Sequence, residues 1–237
     1  MSPEKPWKRF LEWYHEIPEL GMALDVSRMG MTQIWWNSMR EPMAMALKEM
    51  EHIEAGDLAN PDEQRRVGHY WLRDPGLAPE NHLTEKISSV QREIISFSGS
   101  VLSGELAAPD GRPFRNLLLI GIGGSTLGPR FVRDALEETG GRGLETFFID
   151  NTDPEGIDRI FAQIGDGWPE TLVLVISKSG STPETRNGML EARRVFTRVG
   201  LNFPRQAVAV TGEGSTLEQQ AEKEGWLRVF PMWDWVG

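Results

Sequence analysis

The chain has 237 residues, a net charge of −10, 39% hydrophobic residues and no cysteine. That length holds one large domain or two small ones with an ample core, and the ordinary apolar content excludes global disorder. It also has no disulfide framework, thiolate nucleophile or zinc ribbon, and 35 acids against 25 bases argue against a nucleic-acid partner.

The first residues are basic but have no apolar region behind them, so no secretory signal is expected. Apolar runs such as Leu117–Ile120 and Leu172–Ile176 are far too short to cross a bilayer, so no membrane association is expected. A soluble, cytoplasmic protein is expected.

In chain order, residues 32–55 are rich in Met, Ala, Glu and Lys and predict a helix, which Pro42 should kink or interrupt. Asn60-Pro61-Asp62-Glu63 reads as a helix start, with Asn60 as cap and Pro61 in the first turn. Ile87, Val90, Ile94, Phe97 and Val101 recur at helical spacing and predict a core-facing stripe. The turn-rich stretch Ala108–Pro113 divides a mainly helical segment, residues 1–110, from a second part, residues 111–237.

Beyond that turn, five short apolar runs predict strands: Leu117–Ile120, Phe147–Ile149, Leu172–Ile176, Ala207–Val210 and Leu227–Phe230. Between them, Ile157, Ile160, Phe161 and Ile164 mark one helix face, and Met189, Ala192, Phe196 and Val199 another. Continuous apolar strands alternating with helices imply an α/β fold: a doubly wound, five-stranded parallel sheet in the flavodoxin-like order 2-1-3-4-5. No internal repeat or low-complexity tract is present.

In such a sheet, ligands bind beyond the carboxyl ends of the strands, at the switch point. After the first strand comes Gly121-Ile-Gly-Gly-Ser-Thr-Leu-Gly-Pro129, whose glycines expose backbone N–H groups and whose proline suits a first helical turn. Two readings compete: an anion-binding turn, or glycines needed only for tight strand-to-helix packing. A P-loop fails because Pro129 stands where its lysine belongs. A dinucleotide fingerprint lacks its third glycine, where Thr126 stands, although Asp150 ends the second strand as a ribose-binding acid would.

After the third strand comes Ser177-Lys-Ser-Gly-Ser-Thr-Pro-Glu-Thr185. Thr182 can cap the following helix with Pro183 in its first turn, and Ser181 and Glu184 have capping-box spacing. Capping leaves Ser177, Lys178 and Ser179 unexplained. Hydroxyls, backbone amides, a helix dipole and one ammonium together suit a phosphate. A sugar phosphate lying across both loops fits best. His15, His52, His69 and His82 have no metal-ligand spacing, so no metal or cofactor is expected.

Asn116–Pro129 followed by Ser177–Thr185 closely resembles the glucose-6-phosphate isomerase family. Asn60–Arg65, His69–Arg73 and Trp233–Gly237 resemble it more loosely. The resemblance implies a sugar-isomerase (SIS) subdomain in residues 111–237. Gly124 and Ser125 would contact the sugar, and Ser177, Lys178, Ser179, Gly180, Ser181 and Thr182 would hold the phosphate of a hexose 6-phosphate. The family often has a bulkier residue where Gly180 stands. It interconverts glucose 6-phosphate and fructose 6-phosphate through a glutamate, with a histidine, a lysine and an arginine, all from its later half. None has a counterpart here, so no residue is assigned a catalytic role. Gly237 looks like the first glycine of the family's Gly-Gly-Arg motif.

The chain therefore reads as an N-terminal portion, inactive alone, of a parent expected to be a homodimer. The alternatives are a non-catalytic sugar-phosphate sensor on the same fold and an NAD-dependent oxidoreductase using Asp150. A truncated chain is also expected to expose Phe230, Trp233 and Trp235 near its end.

Overall fold

The computed structural model describes residues 6–136 and 143–236; Gly237, assigned above to a Gly-Gly-Arg motif, lies outside them. The chain divides into two compact units, Met1–Ile53 and Glu54–Gly237.

The first unit contains helix α1 (Pro6–Trp13), an antiparallel hairpin of β1 (Tyr14–Ile17) and β2 (Met22–Asp25), and α2 (Gln33–Glu54), whose last residue begins the second unit. The hairpin interrupts a stretch expected to be helical. A short turn at Pro18–Leu20 ends on Gly21, whose φ of 61° needs no side chain in its way. Helix α2 runs through Pro42 without interruption, contrary to expectation. The proline removes one amide from the ladder, and the strong helix formers around it continue the element.

The second unit opens with another hairpin, β3 (Leu58–Asn60) with β4 (Arg65–Arg66), where a helix start was expected. Asn60 Oδ1 does accept from the Glu63 amide, at 3.1 Å, as an N-cap would. Gln64 then takes a positive φ of 53°, and the chain reverses after one turn. Helices α3 (His69–Arg73) and α4 (Asn81–Ser103) follow; of the predicted stripe on α4, Ile87 and Val101 are buried and Val90 and Phe97 half-buried, whereas Ile94 is exposed.

The sheet is formed by β5 (Asn116–Ile120), β6 (Glu145–Ile149), β7 (Thr171–Ser177), β8 (Ala207–Thr211) and β9 (Arg228–Pro231). All neighbours are parallel, in the order β6-β5-β7-β8-β9, which is the expected 2-1-3-4-5. Crossover helices α5 (Gly124–Leu136), α6 (Pro154–Ile164), α7 (Pro183–Arg198) and α8 (Thr216–Glu224) connect the strands.

One core cluster joins Leu118, Ile120, Ile149, Val173 and Ala209 of the sheet to Ile157, Ile164, Met189, Ala192, Phe196 and Leu217 of the helices. Edge-to-face aromatic pairs run through it from Phe161 to Trp168, Phe196, Phe203 and Trp226, with centroids 5.1–5.6 Å apart. Val195, not the predicted Val199, completes the inner face of α7; Val199 is the C-cap residue and is exposed. A second cluster joins Leu172, Val208 and Phe230 to Val101 of α4.

Phe230 and Trp235 are buried, contrary to the expected exposed end. Phe97 of α4 meets Phe230 edge-on at 5.6 Å, and Trp71 of α3 packs against Trp235 at 5.1 Å. The earlier helices supply the cover that the local sequence lacks. Among the described residues, no helix is long and apolar enough to cross a membrane.

Arg193 of α7 and Glu224 of α8 form a close ion pair, with Trp226 Nε1 (2.9 Å) and Gln220 Nε2 (3.1 Å) also donating to the carboxylate. Burial opposes the charge on Glu224, but these donors outweigh it and hold the carboxyl below its ordinary value of 4.5. A depressed native value stabilises the fold above the unfolded value and loses that contribution as pH falls through the native one. Glu224→Gln is therefore expected to lower the melting temperature at pH 7, with the deficit shrinking below pH 4.5. Thermal scans from pH 3 to 7 test this; a deficit constant across that range would remove Glu224 as the cause.

Candidate functional site: two loops at the sheet switch point

β5 lies between β6 and β7, so the chain leaves β5 and β7 on adjacent strands whose crossovers diverge. Loops from both strands therefore meet at the carboxyl edge of the sheet. In the first loop, a Cβ on Gly121 would lie 3.0 Å from Ser125 Cβ, 3.2 Å from Thr126 Oγ1 and 3.3 Å from the Ile176 carbonyl. Glycine thus lets this loop lie directly against the end of β7.

Gly123 then takes a φ of 57°, and α5 starts at Gly124, with Thr126 and Leu127 amides donating to the Gly123 carbonyl at 3.0 and 2.9 Å. Pro129 consequently falls in the second turn of α5, not the first as its type suggested. Gly124 is exposed and Ser125 half-buried, so the start of α5 presents them at the edge of the site.

The second loop brings its hydroxyls together. Ser177 Oγ donates to Thr182 Oγ1 at 3.1 Å and accepts from the Gly180 amide at 3.1 Å. Ser179 Oγ lies 3.4 Å from Thr182 Oγ1, and accepts from the amide and the hydroxyl of Ser181, each at 3.2 Å. Ser177 is buried at the strand end, whereas Ser179 and Ser181 are exposed. The cluster therefore has a fixed floor and a solvent-facing rim.

The capping reading of this loop is corrected. Thr182 does occupy the N-cap of α7 with Pro183 behind it, but its side chain makes no capping bond. Its hydroxyl is instead engaged by Ser177 and Ser179. Ser181 precedes the cap, one residue too early for a capping box with Glu184. The hydroxyls are turned toward one another at the positive end of a 16-residue helix.

Lys178 sits in the same loop, but its ammonium donates to the carbonyls of Val236 (3.0 Å) and Asp234 (3.4 Å). Asp150, the candidate ribose acid, accepts from Arg130 at 2.6 Å and from Asn151 at 3.0 Å, which engages both its oxygens. The oxidoreductase reading loses its main residue to this pairing. None of the four histidines lies in either loop, and among the described residues no group of histidine and carboxylate side chains could hold a metal ion.

Sequence reasoning missed the turn between β8 and α8, Thr211-Gly-Glu-Gly-Ser-Thr216, which backs the second loop. Its signal was there: glycines and hydroxyls after an apolar strand, the same composition as the other two loops.

The chain resembles known proteins over most of its length. A family model described as phosphoglucose isomerase matches residues 36–237. A glucose-6-phosphate isomerase of Desulfitobacterium hafniense (strain Y51) is 54% identical over 231 residues, covering 98% of this chain and 43% of that protein. The chloroplastic glucose-6-phosphate isomerase 1 of Arabidopsis thaliana is 50% identical over 239 residues, covering 100% of this chain and 39% of that protein. The chain thus spans less than half the length of these curated relatives. A crystal structure of the Chlamydia trachomatis glucose-6-phosphate isomerase shares the fold, with a TM-score of 0.82 at 23% identity over 97% of this chain and 44% of that one. With residues 36–237, most of its length, matched by one family model, the chain belongs to the phosphoglucose isomerase family.

Proposed function

We propose that the two loops bind a hexose 6-phosphate, with the phosphate on Ser177, Lys178, Ser179, Gly180, Ser181 and Thr182 and the sugar at Gly124 and Ser125. The observation that carries this reading is the hydroxyl cluster at the start of α7, whose cap residue is not spent on capping. Such a cluster offers rotatable donors in front of a helix dipole, which favours a dianion over a neutral sugar. Holding the phosphate places the rest of the sugar along the first loop, so binding energy at the non-reacting end positions the reacting carbons.

In the whole protein the reaction would be the interconversion of glucose 6-phosphate and fructose 6-phosphate. That protein would be a homodimer, as the family resemblance implies, and cytoplasmic, as the composition of this chain suggests. Within this chain, residues 111–237 form the sugar-phosphate-binding part behind the mainly helical residues 1–110. The family's catalytic glutamate, histidine, lysine and arginine have no matching positions in these 237 residues. The chain alone therefore binds without isomerising.

Titration calorimetry with glucose 6-phosphate, inorganic phosphate and glucose tests the reading. Glucose 6-phosphate and phosphate are expected to bind, and glucose not to. Ser179→Ala with Thr182→Ala removes two hydroxyl donors to a charged group and is expected to weaken glucose 6-phosphate by about tenfold or more. Glucose binding as tightly as its phosphate, or an unchanged affinity in the double variant, would sink the phosphate assignment. Turnover by the chain itself in a coupled assay would sink the inactive one.

A further inference from the structure

The β8–α8 turn holds the second loop entirely by its backbone carbonyls. Thr211 Oγ1 lies 2.6 Å from the Ser177 carbonyl, the Gly212 amide donates to the Lys178 carbonyl at 3.0 Å, and Thr216 Oγ1 donates to the Gly180 carbonyl at 2.7 Å. Three of the loop's four leading carbonyls thus face one turn.

The bonds form an ordered chain. Thr211 has one hydroxyl proton, used on the Ser177 carbonyl, so the 2.7 Å contact between Thr211 and Ser215 hydroxyls has Ser215 as donor. Ser215 in turn accepts from the Glu218 amide at 3.0 Å, as the N-cap of α8. The start of α8 is therefore tied through two hydroxyls to the end of β7. Thr211 is fully buried, so this tie is shielded from water.

Peptide planarity converts these contacts into a direction. In a trans peptide the N–H of each residue points opposite to the carbonyl before it. Fixing the carbonyls of Ser177, Lys178 and Gly180 on the turn aims the amides of Lys178, Ser179 and Ser181 away from it. The Ser181 amide shows the result: it meets Ser179 Oγ, within the hydroxyl cluster.

We infer that Thr211 and Thr216 are positioning residues that orient the amides of the Ser177–Thr182 loop toward a phosphate without touching it. This rests on the phosphate reading of that loop.

Thr216 is exposed and begins α8, so Thr216→Val keeps the branched shape and the fold while removing the hydroxyl. Three readouts are needed: affinity for inorganic phosphate and glucose 6-phosphate, the melting temperature without ligand, and the ligand-free amide resonances of Ser179 and Ser181. The variant is expected to bind both anions about five- to tenfold more weakly, because the loop no longer holds its amides in the binding orientation before the anion arrives. Its melting temperature should fall no further than the loss of one exposed hydrogen bond accounts for, its Ser181 resonance should move, and Thr216→Ser should restore affinity and resonance together. Unchanged affinity and an unmoved Ser181 resonance, in a chain that binds phosphate, would overturn the positioning role alone. An unsubstituted chain that binds neither anion would overturn the phosphate reading, and the inference with it.

Discussion

Gly180→Ala is expected to destabilise the chain by about 2–5 kcal/mol and to weaken glucose 6-phosphate binding by more than tenfold. Gly180 has a φ of 69°, where an L side chain costs about 1–2 kcal/mol. A Cβ there would also lie 2.8 Å from both the Leu217 amide nitrogen and Ser215 Cβ, and 2.9 Å from Ser215 Oγ. Two of these atoms belong to the N-cap of α8 and one to backbone, so relief requires the loop to part from the turn. Overpacking of this kind costs a further 1–3 kcal/mol or about that. Parting also breaks the bond from Thr216 to the Gly180 carbonyl, which is why affinity should fall with stability.

Gly200→Ala provides the control. Its φ is 75°, with nothing within 4 Å of the added carbon, so it carries only the conformational cost. Denaturant titrations of both variants, with calorimetry on each, separate the two contributions. Equal losses would show that the contact with α8 is not restrictive.

How far the sequence disclosed all this depended on whether the deciding contacts were local. The central strands were legible because β5, β7 and β8 are mostly buried and read as near-continuous apolar runs, whereas the edge strand β9 was legible despite its exposed Arg228. Helices lying between strands implied a parallel sheet, and the order was the default of a five-stranded doubly wound sheet. The two loops stood out because glycines, hydroxyls and a lysine cluster there beyond what strand-to-helix packing requires.

Asn60-Pro61-Asp62-Glu63 misled because a cap and a one-turn reversal begin with the same hydrogen bond. The pairing of Leu58 with Arg66 and the positive φ of Gln64 settle the difference, and neither is a local propensity. Thr182 misled in the opposite sense: its type and place are those of a cap, but Ser177, five residues earlier at a strand end, takes its hydroxyl. The direction of Lys178 depended on the return of residues 234–236 to the end of β7, more than fifty positions away. Thr211 and Thr216 needed the register of the fourth strand against the third, which sets Thr211 opposite Ser177.

Trp71→Ala is expected to cost about 3–5 kcal/mol, as removal of a fully buried tryptophan does. The indole is held from three sides. Nε1 donates to the Glu54 carbonyl at 3.0 Å, the ring packs on Trp235 at 5.1 Å, and a Cβ on Gly68 would fall 2.1 Å from its Cε3, so only glycine admits the ring there. Trp235 is itself stacked on Trp233 at 5.0 Å, and its carbonyl accepts from the Gly68 amide at 2.9 Å. Removing Trp71 therefore undoes the seat of residues 233–236, whose carbonyls receive the Lys178 ammonium. Trp71→Phe keeps a ring against Trp235 but loses the donor to Glu54, and should cost roughly half as much. Denaturant unfolding of both variants measures this, with the phosphate affinity of each as a second readout. A loss below about 1 kcal/mol in Trp71→Ala would mean that the terminal tryptophans need no cover from α3. The expected large loss would mean that α3 and the terminal segment form one structural unit, joined to the ligand site through Lys178.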